Sequence, residues 1–387
     1  MSTFLPYGRQ SITEADIAAV VDALQSPWLT QGPAVPAFEQ AVTQRVGAKH
    51  GVAVNSATSA LHIACLALKL GPGDYLWTTP ITFVASADCA RYCGADVDFV
   101  DIEPSTGLIS LEALELKLKK ASREGCLPKV LVPVHLCGSS CAMEPIAALA
   151  QSYGIKVLED ASHAIGGHYR GQAVGGCLHS DITVFSFHPV KIITTGEGGL
   201  ATTNNCLLAQ RMADLRSHGI TKDDARFELP APGPWSYEQQ DLGFNYRMTD
   251  LQAALGLSQL QRLEEVVAER QRLLEQYRLL LAELPLRLLE IPQDVSSAQH
   301  LAVICLTDPS PTHHRQVLDG LQAAGIGVQL HYTPVHLQPY YRRLGFREGD
   351  FPKAEAYARN AISLPLYPGL QDRDLQYVAK TLTILLG

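Results

Sequence analysis

A chain of 387 residues is long enough for two hydrophobic cores, and 47% hydrophobic with 18% charged residues excludes a disordered or fibrous protein. The net charge of -8, without any run of Lys or Arg, lacks the basic stripe a nucleic-acid partner requires. MSTFLPYGRQ at the start does not have the profile of a secretory signal, and the apolar stretches are too short and interrupted to cross a membrane. The nine cysteines follow no disulfide framework. Cys89 with Cys93, and Cys137 with Cys141, have spacings that admit a metal pair, but reduced, packed thiols in a cytoplasmic protein are the expectation, with no metal site.

In chain order, Gly51 to Val54 reads as a strand, followed by a polar turn and a helix through Leu61 and Leu68 that stops at Gly71. Strands are expected at Leu76 to Thr79, Val97 to Val100, Val130 to His135, Ile155 to Leu158, Ile182 to Phe187 and Leu200 to Thr203. Several are rich in Val and Ile at consecutive positions, as strands buried on both faces are. Helical stretches between them imply an α/β fold: a large α/β/α domain over residues 1–250 with a mainly parallel sheet. Pro230 to Tyr237 reads as an exposed excursion. From Leu251 to Leu284 apolar residues recur at helical spacing, and Pro285 ends the run, predicting one long helix. It leads into a smaller C-terminal α/β domain, residues 251–387, with signals at Leu301 to Leu306, His313 to Ala324 and Val328 to His331.

In parallel sheets ligands sit beyond the carboxyl ends of the strands, so polar residues there are candidates for function. Asn55-Ser56-Ala57-Thr58-Ser59 opens a helix, where free N–H groups and hydroxyls suit a phosphate; plain helix capping is the alternative. Glu159-Asp160-Ala161-Ser162-His163 ends a buried strand with acids that need a partner, and Asp160 faces a cation or caps the next helix. Lys191, in SFHPVKIITTGEGG, lies between a buried strand and a glycine turn, and a desolvated lysine can form a Schiff base. A phosphate cup, a carboxylate and an amine together are what pyridoxal phosphate needs.

NSATSAL, EDASHA, SFHPVKIITTGEGG and GFNYRMTD, in this order, resemble the DegT/StrS-type nucleotide-sugar aminotransferases of aspartate-aminotransferase-like fold, the type I pyridoxal-phosphate transferases. Similarity runs from LTQGPAVPAFE to LPLYPGL. The resemblance implies that Lys191 binds the cofactor's aldehyde, Asp160 partners its pyridine nitrogen and His163 lies near its phenolic oxygen. It implies further that Ala57, Thr58 and Ser186 form the phosphate cup and Phe83 covers the ring. Asn245 then reaches a phosphate of the neighbouring subunit, which makes the protein a homodimer with shared sites.

PYGRQSI, SPWLTQG, SHAIG and QLHYTPVHLQPYY are most similar to aminotransferases of pseudaminic acid biosynthesis, which aminate a UDP-4-keto-hexose with L-glutamate and release 2-oxoglutarate. By that likeness Tyr7, Pro27, Trp28, Leu29, Thr30, Ser186, Asn245, Tyr246, His331, Tyr332, Thr333 and Pro334 line the sugar-nucleotide site. Arg247 binds a substrate carboxylate or phosphate, or pairs with Asp250. Amination of another 4-keto sugar, of perosamine or aminoarabinose type, and a cofactor-binding regulator are the alternatives. A nicotinamide dehydrogenase is disfavoured because no G-x-G-x-x-G follows the first strand. A coiled-coil scaffold would leave the three polar segments unexplained.

Overall fold

The computed structural model describes residues 4–308 and 310–387. Its main sheet has seven strands, in the order 50–54, 199–203, 182–186, 156–160, 130–131, 75–78 and 96–99. All neighbouring strands are parallel except Gly199–Thr203, which runs antiparallel to both of its neighbours. Strands Ile182–Ser186 and Gly199–Thr203 are buried along their whole length. Small, hydroxyl and apolar residues follow one another in both without a polar-apolar alternation, as burial on both faces requires.

The strand expected over Val130 to His135 is a regular strand only at Val130–Leu131. Pro133 carries no N–H, so the ladder is interrupted there and resumes as a single bridge between Val134 and Asp160. The other six expected strands lie where the pattern puts them, within one or two residues. Pro230 to Tyr237 is an exposed excursion, with Trp235 76% exposed.

The single long helix does not form. Asp250–Leu260 and Leu263–Leu280 are separate helices, and the second ends well before Pro285. The break follows from a carboxylate at the joint: Asp16, fully buried, accepts from Ser258 at 2.6 Å, Gln259 at 2.7 Å and Arg262 at 2.8 Å. The last turn of one helix and the residue preceding the next are thus drawn to one point on the helix Glu14–Gln25. A buried carboxylate that gathers these donors outweighs the few tenths of a kcal/mol per residue that helix propensity offers.

Beyond Leu280, strands Leu286–Leu288, Ala302–Leu306 and Ala361–Leu364 form an antiparallel sheet, covered by helices Pro311–Ala323 and Asp372–Leu386. Residues 331–341 leave this sheet and cross to the main one. There the Val335 N–H donates to Pro80 O at 2.9 Å and Tyr341 Oη donates to Asp88 Oδ1 at 2.6 Å. This crossing brings C-terminal residues to the strand ends of the larger sheet.

Candidate active site

At the end of strand His50–Val54 the chain turns directly into helix Ala57–Ala67. Ser56 caps it, accepting from the Ser59 N–H at 3.1 Å, and the Ser59 hydroxyl donates to Asn55 Oδ1 at 2.7 Å. Capping is therefore real, yet it does not use every donor. Among the described residues the N–H groups of Ala57 and Thr58 have no acceptor, and both residues are half-buried. Gly199 closes the cup from below: a Cβ there would lie 2.6 Å from Ala57 N. Ser186, buried, pairs with Gly199 across the adjoining strands.

Strand alternation separates the two acids at the end of Lys156–Asp160. Glu159 faces one side, where its carboxylate accepts from His135 Nε2 at 2.7 Å, Ser180 at 2.5 Å and Thr183 at 3.0 Å. His135 Nδ1 accepts the Cys141 N–H at 3.1 Å, and its Nε2 is left to donate to Glu159. Asp160 faces the other side. It accepts from Ser86 at 2.6 Å and from the Ser162 N–H at 3.0 Å. The capping reading of Asp160 is corrected: the segment after it is a turn, not a helix, and the bond to Ser162 closes that turn. Ser86 also meets Thr82 Oγ1 at 2.7 Å, which ties Asp160 to the turn that carries Phe83.

Lys191 sits in a loop closed at its base by backbone bonds from the Phe187 N–H to Gly198 O, 2.9 Å, and from the Thr195 N–H to Phe187 O, 3.0 Å. Burial lowers its pKa to about 8, and the nearby Asp160 carboxylate opposes that shift. An appreciable fraction of such an amine is neutral near pH 7, as a nucleophile or a base must be.

His163 is buried, and its Nε2 lies 3.2 Å from Tyr332 Oη. Burial, then the charges of Lys191 and His331, hold its pKa well below the usual range, so the ring is neutral. The Phe83 ring is 58% exposed and lies 6.3 Å from the ring of Tyr332. His331 is buried with Nδ1 2.7 Å from Ser363 Oγ, and the Tyr7 ring lies 5.3 Å from it. Burial first, then Lys191, lowers the His331 pKa to about 4. Pro334 is buried beside the Pro80 contact, whereas Thr333 is exposed.

Other expected site residues stand apart in one chain. Pro27, Trp28, Leu29 and Thr30 are exposed, and Leu29 O accepts the Asp250 N–H at 3.1 Å. Asn245 is exposed, in a backbone bridge with Ser217. Tyr246 turns to His62, with Oη 3.2 Å from Nδ1, and stacks on Phe244 at 4.8 Å. The pairing of Arg247 with Asp250 does not occur. The Asp250 carboxylate instead accepts the N–H groups of Gly32 at 2.9 Å and Ala34 at 3.1 Å, completing the start of helix Ala34–Val46. Arg247 lies in a bridge to Val54, at the strand end that leads to the cup.

Sequence reading missed Ser86, His300 and Arg270. Ser86 lies inside a helix and His300 before a strand, where the strand-end rule does not look. Arg270 belongs to a helix of surface-like composition, yet it is 1% exposed and donates to Leu366 O at 2.9 Å and His300 O at 3.2 Å.

These residues fit pyridoxal phosphate. The cup under Gly199 offers two free N–H groups to a phosphate, Lys191 presents a deprotonatable amine, Asp160 a carboxylate and Phe83 an open ring face. Comparison with known proteins agrees with the geometry. The family model of DegT/DnrJ/EryC1/StrS aminotransferases matches residues 10–383. The chain is 38% identical over 379 residues to the spore coat polysaccharide biosynthesis protein SpsC of Bacillus subtilis, covering 97% of this chain and 95% of that one. Spr1654 of Streptococcus pneumoniae, assigned as a sugar aminotransferase and solved in its PMP form, superposes with a TM-score of 0.91 at 31% identity over 98% of each chain. Helicobacter pylori PseC, an aminotransferase of pseudaminic acid biosynthesis, superposes with a TM-score of 0.91 at 31% identity over 99% of each chain. The chain belongs to the DegT/DnrJ/EryC1/StrS aminotransferase family and is a pyridoxal-phosphate-dependent sugar aminotransferase.

Proposed function

We propose that this enzyme transfers the amino group of L-glutamate to the keto carbon of a UDP-linked 4-keto-6-deoxy sugar, in pseudaminic acid biosynthesis. The observation that carries the reading is the Lys191 amine, its pKa lowered to about 8 by burial, with the Asp160 carboxylate near it; the free N–H groups of Ala57 and Thr58 at the end of strand His50–Val54 support it. The likeness to PseC over nearly the whole chain supports the choice of sugar.

Bound in this site, the cofactor supplies an aldehyde for the travelling amino group and a ring that accepts the electrons of the broken C–H bond. Lys191 Nζ, neutral, takes the α-proton of glutamate and later delivers a proton to the sugar carbon. Asp160, fixed by Ser86 and the Ser162 N–H, holds positive charge at the ring nitrogen. Ala57, Thr58 and Ser186 would hold the cofactor's phosphate, His163 would serve its phenolic oxygen, and Phe83 would cover its ring. Tyr7, His331, Tyr332 and Pro334 form the wall on the sugar side. Arg247, free of Asp250, binds the glutamate carboxylate.

Asn245, Tyr246 and the exposed Pro27 to Thr30 complete the site of a second subunit, so the working form is a homodimer, in the cytoplasm. The visible spectrum of the purified protein tests the chemistry. A cofactor absorbance that bleaches with L-glutamate and returns with a UDP-4-keto sugar is expected. Bleaching without return on that sugar, but with return on another 4-keto sugar nucleotide, would reassign the acceptor. No response to glutamate would favour a cofactor-binding regulator.

A further inference from the structure

His163 uses Nε2 toward Tyr332, but its Nδ1 is buried and has no hydrogen-bond partner. His300 stands beside it with ring centres 4.4 Å apart and planes inclined by 48°, and its Nδ1 is also buried and unpartnered. The two residues are 5% and 3% exposed. A buried ring nitrogen left unpaired is costly, and two such atoms on neighbouring rings lose that cost together when one donates to the other.

The His300 backbone is fixed from both sides, its N–H donating to Cys137 O at 2.8 Å and its carbonyl accepting from the buried Arg270. Gly138 makes the approach possible: with φ of +93°, a Cβ there would lie 2.9 Å from both Gln299 N and His163 O, and 3.1 Å from His300 N. The charged groups around the pair are Lys191, Asp160, Arg270 and His331, with Tyr332 as the adjoining hydroxyl. Burial and the cations among them, Lys191 foremost, keep both imidazoles neutral, so each ring carries one proton and a choice of nitrogen to hold it.

We infer that His300 is a positioning residue: a modest turn of the two rings, or one buried water, lets its Nδ1–H donate to Nδ1 of His163 and so fixes the His163 proton on Nε2, the nitrogen that faces Tyr332 and the cofactor's phenolic oxygen. The second half of that statement rests on the function proposed above; the tautomer itself does not. A donor held toward a phenolic oxygen favours its ionised form and strengthens binding of the ring. Had the His163 proton sat on Nδ1, a lone pair would face that oxygen instead. No motif in the sequence links residues 163 and 300, because the contact is made only when the turn at Gly138 brings their segments together.

The test is a long-range nitrogen–proton spectrum of the full chain labelled with ¹⁵N-histidine, recorded on the protein as purified and again after adding pyridoxal phosphate. His163, assigned by its loss in His163→Gln, is expected to be the neutral Nε2–H form in both spectra. A His163 that carries its proton on Nδ1, or is charged near neutral pH, overturns the inference without any variant of His300. In His300→Phe, which keeps a ring but no nitrogen, the His163 pattern should become a mixture of tautomers and the dissociation constant for pyridoxal phosphate should rise about tenfold. His300→Asn, whose amide N–H lies close to the position of Nδ1, should restore both. Unchanged His163 shifts in His300→Phe would reduce His300 to packing. If the protein binds no pyridoxal phosphate at all, the proposed function fails, while the first spectrum still decides the tautomer.

Discussion

The main sheet and the C-terminal region contribute to the site in opposite ways. From the sheet come short runs in which several functional side chains are neighbours in sequence: Ala57 with Thr58, Asp160 with His163, Ser186 with Lys191. From the C-terminal half come His300 alone and the adjacent pair His331 and Tyr332, with Arg270 behind His300, each held by a partner elsewhere in the chain. The sheet can offer runs because a parallel strand ends in a turn that already faces the ligand side. His331 and Tyr332 reach the site through the crossing of residues 331–341, pinned at Pro80 and Asp88, and His300 through its backbone bond to Cys137. In the proposed mechanism, therefore, the reacting groups are built on the rigid strand ends, while the groups that tune them arrive from outside.

Substitutions can break this division. The largest effect is expected for Lys191→Ala, which should abolish turnover while leaving the circular dichroism spectrum and the melting curve near those of the wild type; measurable amination in single turnovers would end the distinction. Asp160→Asn follows, with a fall in kcat of roughly a hundredfold or more, because the amide cannot hold a cation at the ring nitrogen. An unaffected kcat would remove the role of Asp160. Arg247→Ala should raise the glutamate KM by about tenfold with little change for the sugar, as loss of one charged hydrogen-bonded contact predicts. If both KM values stay put, the Arg247 side chain binds neither substrate.

The smallest effect belongs to the C-terminal region and sharpens the comparison. His331 has a folded pKa of about 4 against an ordinary value near 6.5, so the unfolded chain binds the extra proton first. The stability it contributes is complete above pH 6.5 and is lost as the pH falls toward 4. His163 and His300 are depressed in the same direction. The denaturation midpoint of the wild type should therefore fall between pH 7 and pH 5, and His331→Asn should flatten that slope. An equal slope in both proteins would assign acid sensitivity to other groups.

Much of the sheet was legible because buried strands leave runs of Val and Ile and because their polar ends are contiguous. Lys191, Asp160, Ala57 and Thr58 fell under that rule, and the resemblance gave each a role. The broken helix was not legible, since the apolar period runs on through Gln261 and Arg262 and the cause, Asp16, lies over 200 residues earlier. Nor was the fate of Asp250, which a local reading pairs with Arg247 although its acceptors are committed to Gly32 and Ala34. Histidine 300 shows the same limit: its neighbours in sequence describe the start of a strand, and its neighbours in space describe an imidazole pair.

The loop that carries Lys191 has a mechanical consequence. Because Phe187 is joined to Gly198 and Thr195 across its base, and the Thr194 hydroxyl is bonded to Phe187 O at 2.9 Å, the backbone around the lysine is a braced ring. An amine mounted on such a ring behaves as an arm on a fixed pivot. It can swing away from one partner and return to the same place by rotation about its own side-chain bonds, thousands of times, without the sheet beneath having to give.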